Sequence, residues 1–333
     1  MLVNAEAVKR VAVLVPHRDQ FGNITTQLPL FCALKREYPQ AQIIIYSKSD
    51  NSQLLVDCDV AQEVRNYASW STMRLIKDLN KHQFDELYNI YSGSERIHLV
   101  SMLSNAKRKY AFSNSKLVDR FGLYDEHLFT QKGHQYIALN NLGLINNVKQ
   151  RHFDTTIIKD IVEVRNVGRS NKIVLLPGGG AGKFKVWPIH HYCELVKALD
   201  CAFPSQFEFI FVLGPKESEK KYAILEALQG LRFDVVESPT VPELVKLALE
   251  TKLTVANDCG PCHIFQMLQA PMIMIWGWEL KHGVSKSPYH VLTEWYQAHS
   301  ESWCVFPSEQ KKTIDSVEVE HVASLACMQL NRC

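Results

Sequence analysis

The chain of 333 residues lacks a strong excess of charge of either sign, because 37 lysines and arginines stand against 35 aspartates and glutamates. A net charge of +2 gives no global argument for nucleic acid as a partner. The sequence also lacks low-complexity segments and short-period repeats, which argues against a repeat architecture. A globular chain of this length is expected to form one large α/β domain or two medium ones.

Long apolar runs are lacking as well. The first apolar stretch is short and ends at His17 and Arg18, so the N-terminus does not have the layout of a signal peptide. No other run is long enough to cross a membrane as a helix. We therefore expect a cytoplasmic protein whose first apolar run is a β-strand.

Nine cysteines are present, but their odd number and irregular spacing disfavour a disulfide framework. The segment from Cys259 to Cys262 matches the dithiol loop of thioredoxins, and with His263 it matches the c-type haem attachment pattern. The context weakens both interpretations, because haem attachment needs export and a thioredoxin dithiol lies early in a small domain. A thiol oxidoreductase that uses Cys259 and Cys262 stays open as an alternative.

Apolar runs rich in β-branched residues alternate with amphipathic stretches, which predicts parallel strands connected by helices. Thr25 or Thr26 is predicted to be the N-cap of one helix, and Gly143 the C-cap of another. On a third helix, Met73, Ile76 and Leu79 are predicted to share one face. The alternation weakens over residues 146–171 and then restarts. Two doubly wound, Rossmann-like domains are therefore predicted.

Ligands bind such sheets at the carboxyl ends of the strands, so the turns after the strands are candidate sites. In PGGGAGKFKVWP (177–188), Gly178 and Gly179 would let backbone amides approach a phosphate, and Lys183 and Lys185 could neutralise it. The segment is neither a Walker A loop nor a clean GxGxxG fingerprint. A flexible turn with solvated lysines is the alternative.

Three further turns carry polar side chains. Asp258 ends a strand and could accept hydrogen bonds from ligand hydroxyls, while Gly260 and Pro261 are predicted to begin a helix whose free N–H groups face an anion. Asp258 could instead be a helix cap alone, and His263 a buried helix residue. In the turn after the first strand, the candidates are His17, Asp19 and Asn23, and a surface loop is the alternative. In the remaining turn, the candidate is Glu217, which is predicted to start a helix.

These motifs together resemble glycosyltransferase family 9, the heptosyltransferases of lipopolysaccharide core synthesis. The resemblance is carried by Lys185-Val186-Trp187-Pro188, by Asp258-Cys259-Gly260-Pro261-Cys262-His263 followed by Pro271 and Gly277, and by the pattern from Gly22-Asn23 through Pro29 to Ala41.

The resemblance implies a GT-B fold, with two Rossmann-like domains that face a cleft. Residues 1–165 would form the acceptor domain and 166–312 the donor domain, and a helix within 313–333 would cross back toward the first domain. The implied activity is inverting, metal-independent transfer of heptose or a related sugar from ADP-heptose to a lipopolysaccharide core or other surface-glycan precursor. No cofactor and no nucleic acid are expected, and peripheral contact with the cytoplasmic face of the inner membrane is compatible with this activity. The basic residues Lys107, Arg108 and Lys109 could dock anionic lipid or acceptor phosphates, and a solvated strand edge is the alternative.

The resemblance also implies roles for single residues. Lys185 and the amides from Gly260 to His263 would stabilise the leaving diphosphate, Asp258 would hold the donor sugar, and Glu217 would contact the nucleotide ribose. Two positions depart from the family pattern, because Cys259 stands where a Thr or Ser is usual and Asn23 where the family has a carboxylate base.

An amide cannot take the acceptor proton. Asp19 or His17 would then substitute for Asn23, or the acceptor needs less activation, or the protein binds a sugar nucleotide without the usual transfer.

Overall fold

In the computed structural model, the chain divides into two units, Met1–Ile161 and Val162–Cys333. The predicted boundary at 165/166 lies outside the residues that the structure describes. Those residues are 8–16, 19–91, 93–112, 122–128, 134–162, 168–179, 182–277, 288–308 and 313–332.

The first unit contains one parallel sheet with helices between its strands. The strands are β1 (Arg10–Leu14), β2 (Gln42–Ser47), β3 (Glu63–Asn66), β4 (Glu86–Asn89), β5 (Arg108–Phe112) and β6 (Glu126–Leu128), in the order β3-β2-β1-β4-β5-β6. The α-helices are α1 (Phe21–Thr25), α2 (Leu28–Glu37), α3 (Gln53–Asp57), α4 (Thr72–His82), α5 (Glu95–Leu103) and α6 (Ile137–Lys149), with 3₁₀ turns at Asp50–Ser52 and Thr155–Ile161.

The second unit repeats this plan. The strands are β7 (Lys172–Leu176), β8 (Glu208–Leu213), β9 (Phe233–Glu237), β10 (Leu253–Asn257), β11 (Met272–Ile275) and β12 (Ser302–Val305), in the order β12-β11-β10-β7-β8-β9. The α-helices are α7 (Ile189–Ala202), α8 (Lys220–Ala227), α9 (Val241–Glu250), α10 (Cys262–Met267), α11 (Pro288–Trp295) and α12 (Val319–Leu330), with 3₁₀ turns at Lys183–Lys185 and Ile314–Ser316.

Both sheets have the strand order of the Rossmann fold, in which the chain reverses direction across the sheet after its third strand. The central strands are buried on both faces, as the continuous apolar runs from Val11 to Leu14 and from Ile173 to Leu176 require. The reversal places the ends of β1 and β4 side by side in the first unit, and the ends of β7 and β10 side by side in the second. The prediction of two Rossmann-like domains is confirmed.

Several predicted helix details are wrong. Neither Thr25 nor Thr26 is an N-cap, because Thr25 is the last residue of α1, Thr26 is its C-cap, and Gln27 is the N-cap of α2. Gly143 lies inside α6, which continues to Lys149 and is capped by Gln150 in a left-handed conformation. Of the three residues predicted to share one face of α4, Ile76 and Leu79 are buried, whereas Met73 is 60% exposed.

A buried ionic cluster ties α6 to the sheet of the first unit. Glu86 has no exposed surface and accepts hydrogen bonds from Tyr38 (2.5 Å) and Tyr88 (2.9 Å). Lys149 and Arg108 each lie 2.8 Å from the same carboxylate. Such a buried carboxylate is tolerated because it is paired and hydrogen-bonded at once.

The last helix packs in the second unit. Val319, Val322, Ala326 and Leu330 of α12 join the core that α7 and the central strands form. The implied return of this helix toward the first domain stays a prediction. Among the residues that the structure describes, no helix is long and apolar enough to cross a bilayer.

Candidate functional site

The carboxyl edge of the second sheet brings most of the predicted residues together. Gly178 and Gly179 follow β7, Asp258 follows β10, and Glu217 lies after β8. Because β10, β7 and β8 are adjacent, these three turns meet at the reversal point of the sheet. Open α/β sheets bind their ligands at this point.

The centre of this edge is an ion pair between Lys185 and Asp258. The side chain of Asp258 is 5% exposed and that of Lys185 20%, so the pair is largely shielded from water. The Lys185 ammonium also lies 5.8 Å from the ring of Phe184 and 5.9 Å from that of Trp276. Coulomb interactions are stronger in such surroundings than in water, and a cation held here would act strongly on a bound anion.

The three turns lie close to one another. A β-carbon on Gly178 would lie 3.6 Å from the β-carbon of Cys259 and 3.6 Å from Oε1 of Glu217. A β-carbon on Gly277, which follows β11, would come within 1.9 Å of the backbone oxygen of Phe184. The turn that carries Lys185 therefore packs directly against the end of β11, where only glycine fits.

Glu217 does not start a helix, which corrects the prediction. Its N–H donates to the carbonyl of Gly214 (3.0 Å), and α8 begins three residues later at Lys220. The ammonium of Lys220 donates to the carbonyl of Pro177 (2.7 Å). Burial lowers the pKa of Lys220, against the opposing effect of Glu217. Sequence reasoning missed Lys220, although it stands three residues after Glu217.

Lys183 is exposed and lies two residues before the ion-paired Lys185. The two lysines of the glycine-rich turn are therefore in different environments, and only Lys185 reaches Asp258.

A buried hydrogen-bond network supports the Lys185 turn. The backbone N–H of Trp187 (3.3 Å) and the hydroxyl of Tyr192 (2.9 Å) both donate to Oδ1 of Asn257. The indole of Trp187 donates to the carbonyl of Val317 (2.9 Å). Sequence reasoning did not assign this role to Asn257, although it stands directly before Asp258.

The helix after Asp258 begins later than predicted. α10 has six residues and begins at Cys262, two residues after Gly260. The N–H of His263 donates to the carbonyl of Gly260 (3.3 Å). This amide is already used within the chain, so it is not free to face an anion.

Side chains around α10 are buried and neutral. Burial lowers the pKa of His263 to about 4 and raises the pKa of Cys262 well above its ordinary value. The side-chain nitrogen of Gln266 lies 3.3 Å from Nδ1 of His263 and 3.4 Å from the sulfur of Cys262. A protonated thiol is a poor nucleophile, so Cys262 lacks the activation that thiol redox enzymes need.

The predicted residues of the first unit lie at the end of β1. Asp19 is exposed, and its backbone carbonyl accepts a hydrogen bond from the side chain of Asn51 (2.8 Å). The side-chain amide of Asn23 in α1 donates to Oε1 of Gln20 (2.9 Å). His17 lies outside the described residues.

The end of β4, next to β1, carries a cluster that sequence reasoning missed. The side-chain nitrogen of Asn89 (2.9 Å) and Nδ1 of His98 (2.8 Å) both hydrogen-bond the hydroxyl of Tyr124. All three side chains are buried. Burial raises the pKa of Tyr124, which keeps its hydroxyl protonated. The cluster sits at the reversal point of the first sheet, which corresponds to the Lys185 edge of the second.

Comparisons with known proteins agree with this architecture. The family model described as glycosyltransferase family 9 (heptosyltransferase) matches residues 91–301. The chain is similar to lipopolysaccharide heptosyltransferase 3 of Escherichia coli, with 21% identity over 278 residues, or 77% of this chain and 80% of the relative.

Two solved structures share the fold. E. coli heptosyltransferase WaaC with ADP is 15% identical and has a TM-score of 0.68, covering 96% of this chain and 99% of that one. The same enzyme with ADP-2-deoxy-2-fluoro heptose is 14% identical and has a TM-score of 0.66, with the same coverage. Because the family model covers more than half of the chain, the protein is a glycosyltransferase that belongs to family 9, the heptosyltransferases.

Proposed function

We propose that this enzyme moves heptose or a related sugar from an ADP-activated donor, with inversion and without a metal, to a lipopolysaccharide core or another surface-glycan precursor. The observation that carries the proposal is the shielded Lys185–Asp258 pair at the reversal point of the second sheet. The similar E. coli enzyme binds ADP and a fluorinated ADP-heptose, as its structures' titles state, and the curated relative is a lipopolysaccharide heptosyltransferase.

In this proposal the protein supplies the electrostatic stabilisation that the leaving group needs. As the bond between the sugar and the diphosphate breaks, negative charge grows on the diphosphate oxygens, and the ammonium of Lys185 stabilises it. Asp258 accepts hydrogen bonds from the sugar hydroxyls, and Glu217 accepts them from the ribose. Gly178 and Gly179 let the backbone approach the phosphates, next to Cys259 and Gly260.

Donor binding tests this part. Asp258→Ala and Lys185→Ala are expected to weaken the binding of ADP and ADP-heptose. A thermal-shift panel of nucleotide sugars measures this loss, because a ligand that binds only the folded state raises the stability of that state. Lys197→Ala, an exposed lysine on α7, is the matched control and should behave like the wild type. Unchanged donor affinity and turnover in both site variants would refute the proposal.

Inverting transfer also needs a base for the acceptor hydroxyl, and we assign this role to Asp19. Asn23 is engaged by Gln20 and has no basic atom, whereas Asp19 is an exposed carboxylate four residues earlier. Asp19→Asn should lower kcat by about 10²–10⁴, the range for a general base, and leave ADP affinity unchanged. A wild-type kcat in Asp19→Asn would remove it from the mechanism.

The second candidate is a family member that binds a sugar nucleotide or glycan without the usual transfer. It is favoured by the amide of Asn23 at the position of the expected carboxylate. Asn23→Asp separates the two functions, measured as sugar transfer with ADP-heptose and a truncated lipopolysaccharide. Strongly raised or newly created transfer would show that the wild type is impaired, whereas abolished transfer would give Asn23 a role of its own.

Peripheral contact with the inner membrane is the remaining part of the proposal. Lys107 and Arg108 pair with Asp85 and Glu86, so their charge is partly neutralised within the chain. The ammonium of Lys109 donates to the backbone of Met102 in α5.

Leu99, Met102 and Leu103 lie exposed on α5 beside this lysine. An apolar strip beside lysines is suited to an anionic bilayer surface. Flotation with phosphatidylglycerol vesicles should be weakened by Leu103→Ser and unaffected by Leu225→Ser, an exposed leucine on α8. Equal flotation of the wild type and Leu103→Ser would refute this surface.

A further inference from the structure

Three buried side chains with different donor atoms converge at the start of α10. A carboxylate oxygen of Asp258, the sulfur of Cys262 and an imidazole nitrogen of His263 all lie within 4.8 Å of one another. Their exposed fractions are 5%, 0% and 3%. In the structure Asp258 is paired with Lys185, and the side-chain nitrogen of Gln266 lies within hydrogen-bond distance of both Cys262 and His263, as is usual for polar groups in the interior.

The fold brings the three together through one tight turn. Asp258 follows the last residue of β10, and Gly260-Pro261 reverse the chain into α10. Cys262 and His263 are the first two residues of this helix. The set is therefore built by six consecutive residues, which form the turn after a buried strand and the start of a short helix.

The donor set selects a class of cation. A thiolate, an imidazole and a carboxylate are the ligands of zinc, at about 2.0–2.3 Å from the metal. Magnesium and calcium prefer oxygen alone. Ligand atoms around tetrahedral zinc lie about 3.5 Å apart, so the cluster needs to contract by roughly 1 Å to hold the ion.

We propose that Asp258, Cys262 and His263 form a binding site for zinc or a similar thiophilic divalent cation. The ion takes the place of the Lys185 ammonium beside Asp258. Binding releases the thiol proton of Cys262 to solvent, and the thiolate and the carboxylate then balance the two charges of the metal. Three protein ligands leave one position for water or another exogenous ligand.

The consequence for activity rests on the proposed function. A metal that separates Lys185 from Asp258 removes the arrangement that would hold the donor. Zinc is therefore expected to oppose donor binding, as an inhibitor at the donor site and not as a participant in the transfer.

Calorimetric titration of the full chain with zinc tests the site itself. Cys262→Ser and His263→Gln should each lower the affinity for zinc by more than about 100-fold. Loss of an outer-shell partner of a metal already lowers affinity by about 10–100-fold, and loss of a direct ligand costs more. Lys185→Met should bind zinc more tightly than the wild type, since it removes the competing cation. Cobalt should give a thiolate charge-transfer band that Cys262→Ser abolishes.

Cys304→Ser is the matched control for thiols, because burial, and after it the Asp258 carboxylate, raises the pKa of Cys304, which nevertheless lies outside the cluster. It should bind zinc like the wild type. The site is refuted if Cys262→Ser binds zinc as tightly as the wild type, or if Cys304→Ser loses as much affinity. Circular dichroism of each variant excludes loss of fold as the cause.

ADP titrations separate this inference from the proposed function. Zinc should lower the affinity for ADP in the wild type but not in Cys262→Ser. If ADP binds and zinc does not, the metal site is wrong while the donor site stands. If zinc binds with the expected variant pattern and ADP does not bind, the metal site stands and the proposed donor is wrong.

Discussion

Replacement of Lys185 by methionine tests the central electrostatic claim. The lysine is held against a carboxylate that is 5% exposed, at the edge of the sheet where the diphosphate is proposed to bind. Loss of one preorganised group that stabilises developing charge costs about 2.7–4 kcal/mol in the transition state. The kcat for release of ADP from ADP-heptose should therefore fall by roughly 10²–10³.

The same variant has a predicted cost in stability. Lys185→Met leaves Asp258 buried without its charged partner, which should lower the free energy of unfolding by about 3–5 kcal/mol. Addition of Asp258→Asn removes the unpaired charge and should restore part of that stability but none of the activity. Urea titration and steady-state kinetics on the single and double variants measure the two effects separately.

Lys185→Arg is the control that keeps the positive charge. It should retain more activity than Lys185→Met, although the larger guanidinium fits less well beside Phe184 and Trp276. A folded Lys185→Met enzyme with a kcat within a factor of about three of the wild type would refute the role of this lysine.

Three further variants address packing, protonation and buried charge. Gly277→Ala would place a β-carbon 1.9 Å from a backbone oxygen and should lower the urea-unfolding free energy by about 1–3 kcal/mol. A β-carbon on Gly143 would meet no atom within 4 Å, so Gly143→Ala should raise the same free energy by about 0.5–1 kcal/mol. The pKa of His263 is lowered to about 4, so the unfolded chain takes up a proton that the folded chain excludes. Stability should therefore fall by up to about 3 kcal/mol as the pH drops from 6.5 to 4, and urea titrations of His263→Gln over this range should lack that slope. Glu86→Leu leaves Lys149 without its carboxylate and should lower the urea-unfolding free energy by about 3–5 kcal/mol. Addition of Lys149→Met should recover part of that free energy. Equal stability of Glu86→Leu and the wild type would contradict the importance of this cluster.

The apolar runs of the central strands were readable from the sequence, because a parallel strand buried on both faces is continuously apolar. The edge strands β3, β6 and β12 were missed. β3 reads Glu-Val-Arg-Asn and is half-exposed along its length, so it carries no such run. Pairing with an existing neighbour stabilises these strands, and that neighbour is not visible in the local sequence.

The helix boundaries show the same limit. Gly143 has the residue type of a helix end, but α6 continues past it because the residues on both sides pack against the unit. Glu217 has the residue type of a helix start, but the turn from Gly214 delays α8 to Lys220. Local propensity is a weak preference that tertiary packing overrides.

The sequence by itself determined the alternation of strands and helices, the glycine-rich turn and the motif from Asp258 to His263, since each depends on residues close together in the chain. Only the tertiary structure decided that Lys185 meets Asp258, 73 residues away, that Asn257 holds the turn of Trp187, and that Asn89, His98 and Tyr124 converge. The physical reason is the strand order. It places the ends of β7 and β10 together, and the ends of β1 and β4, although no local pattern links them.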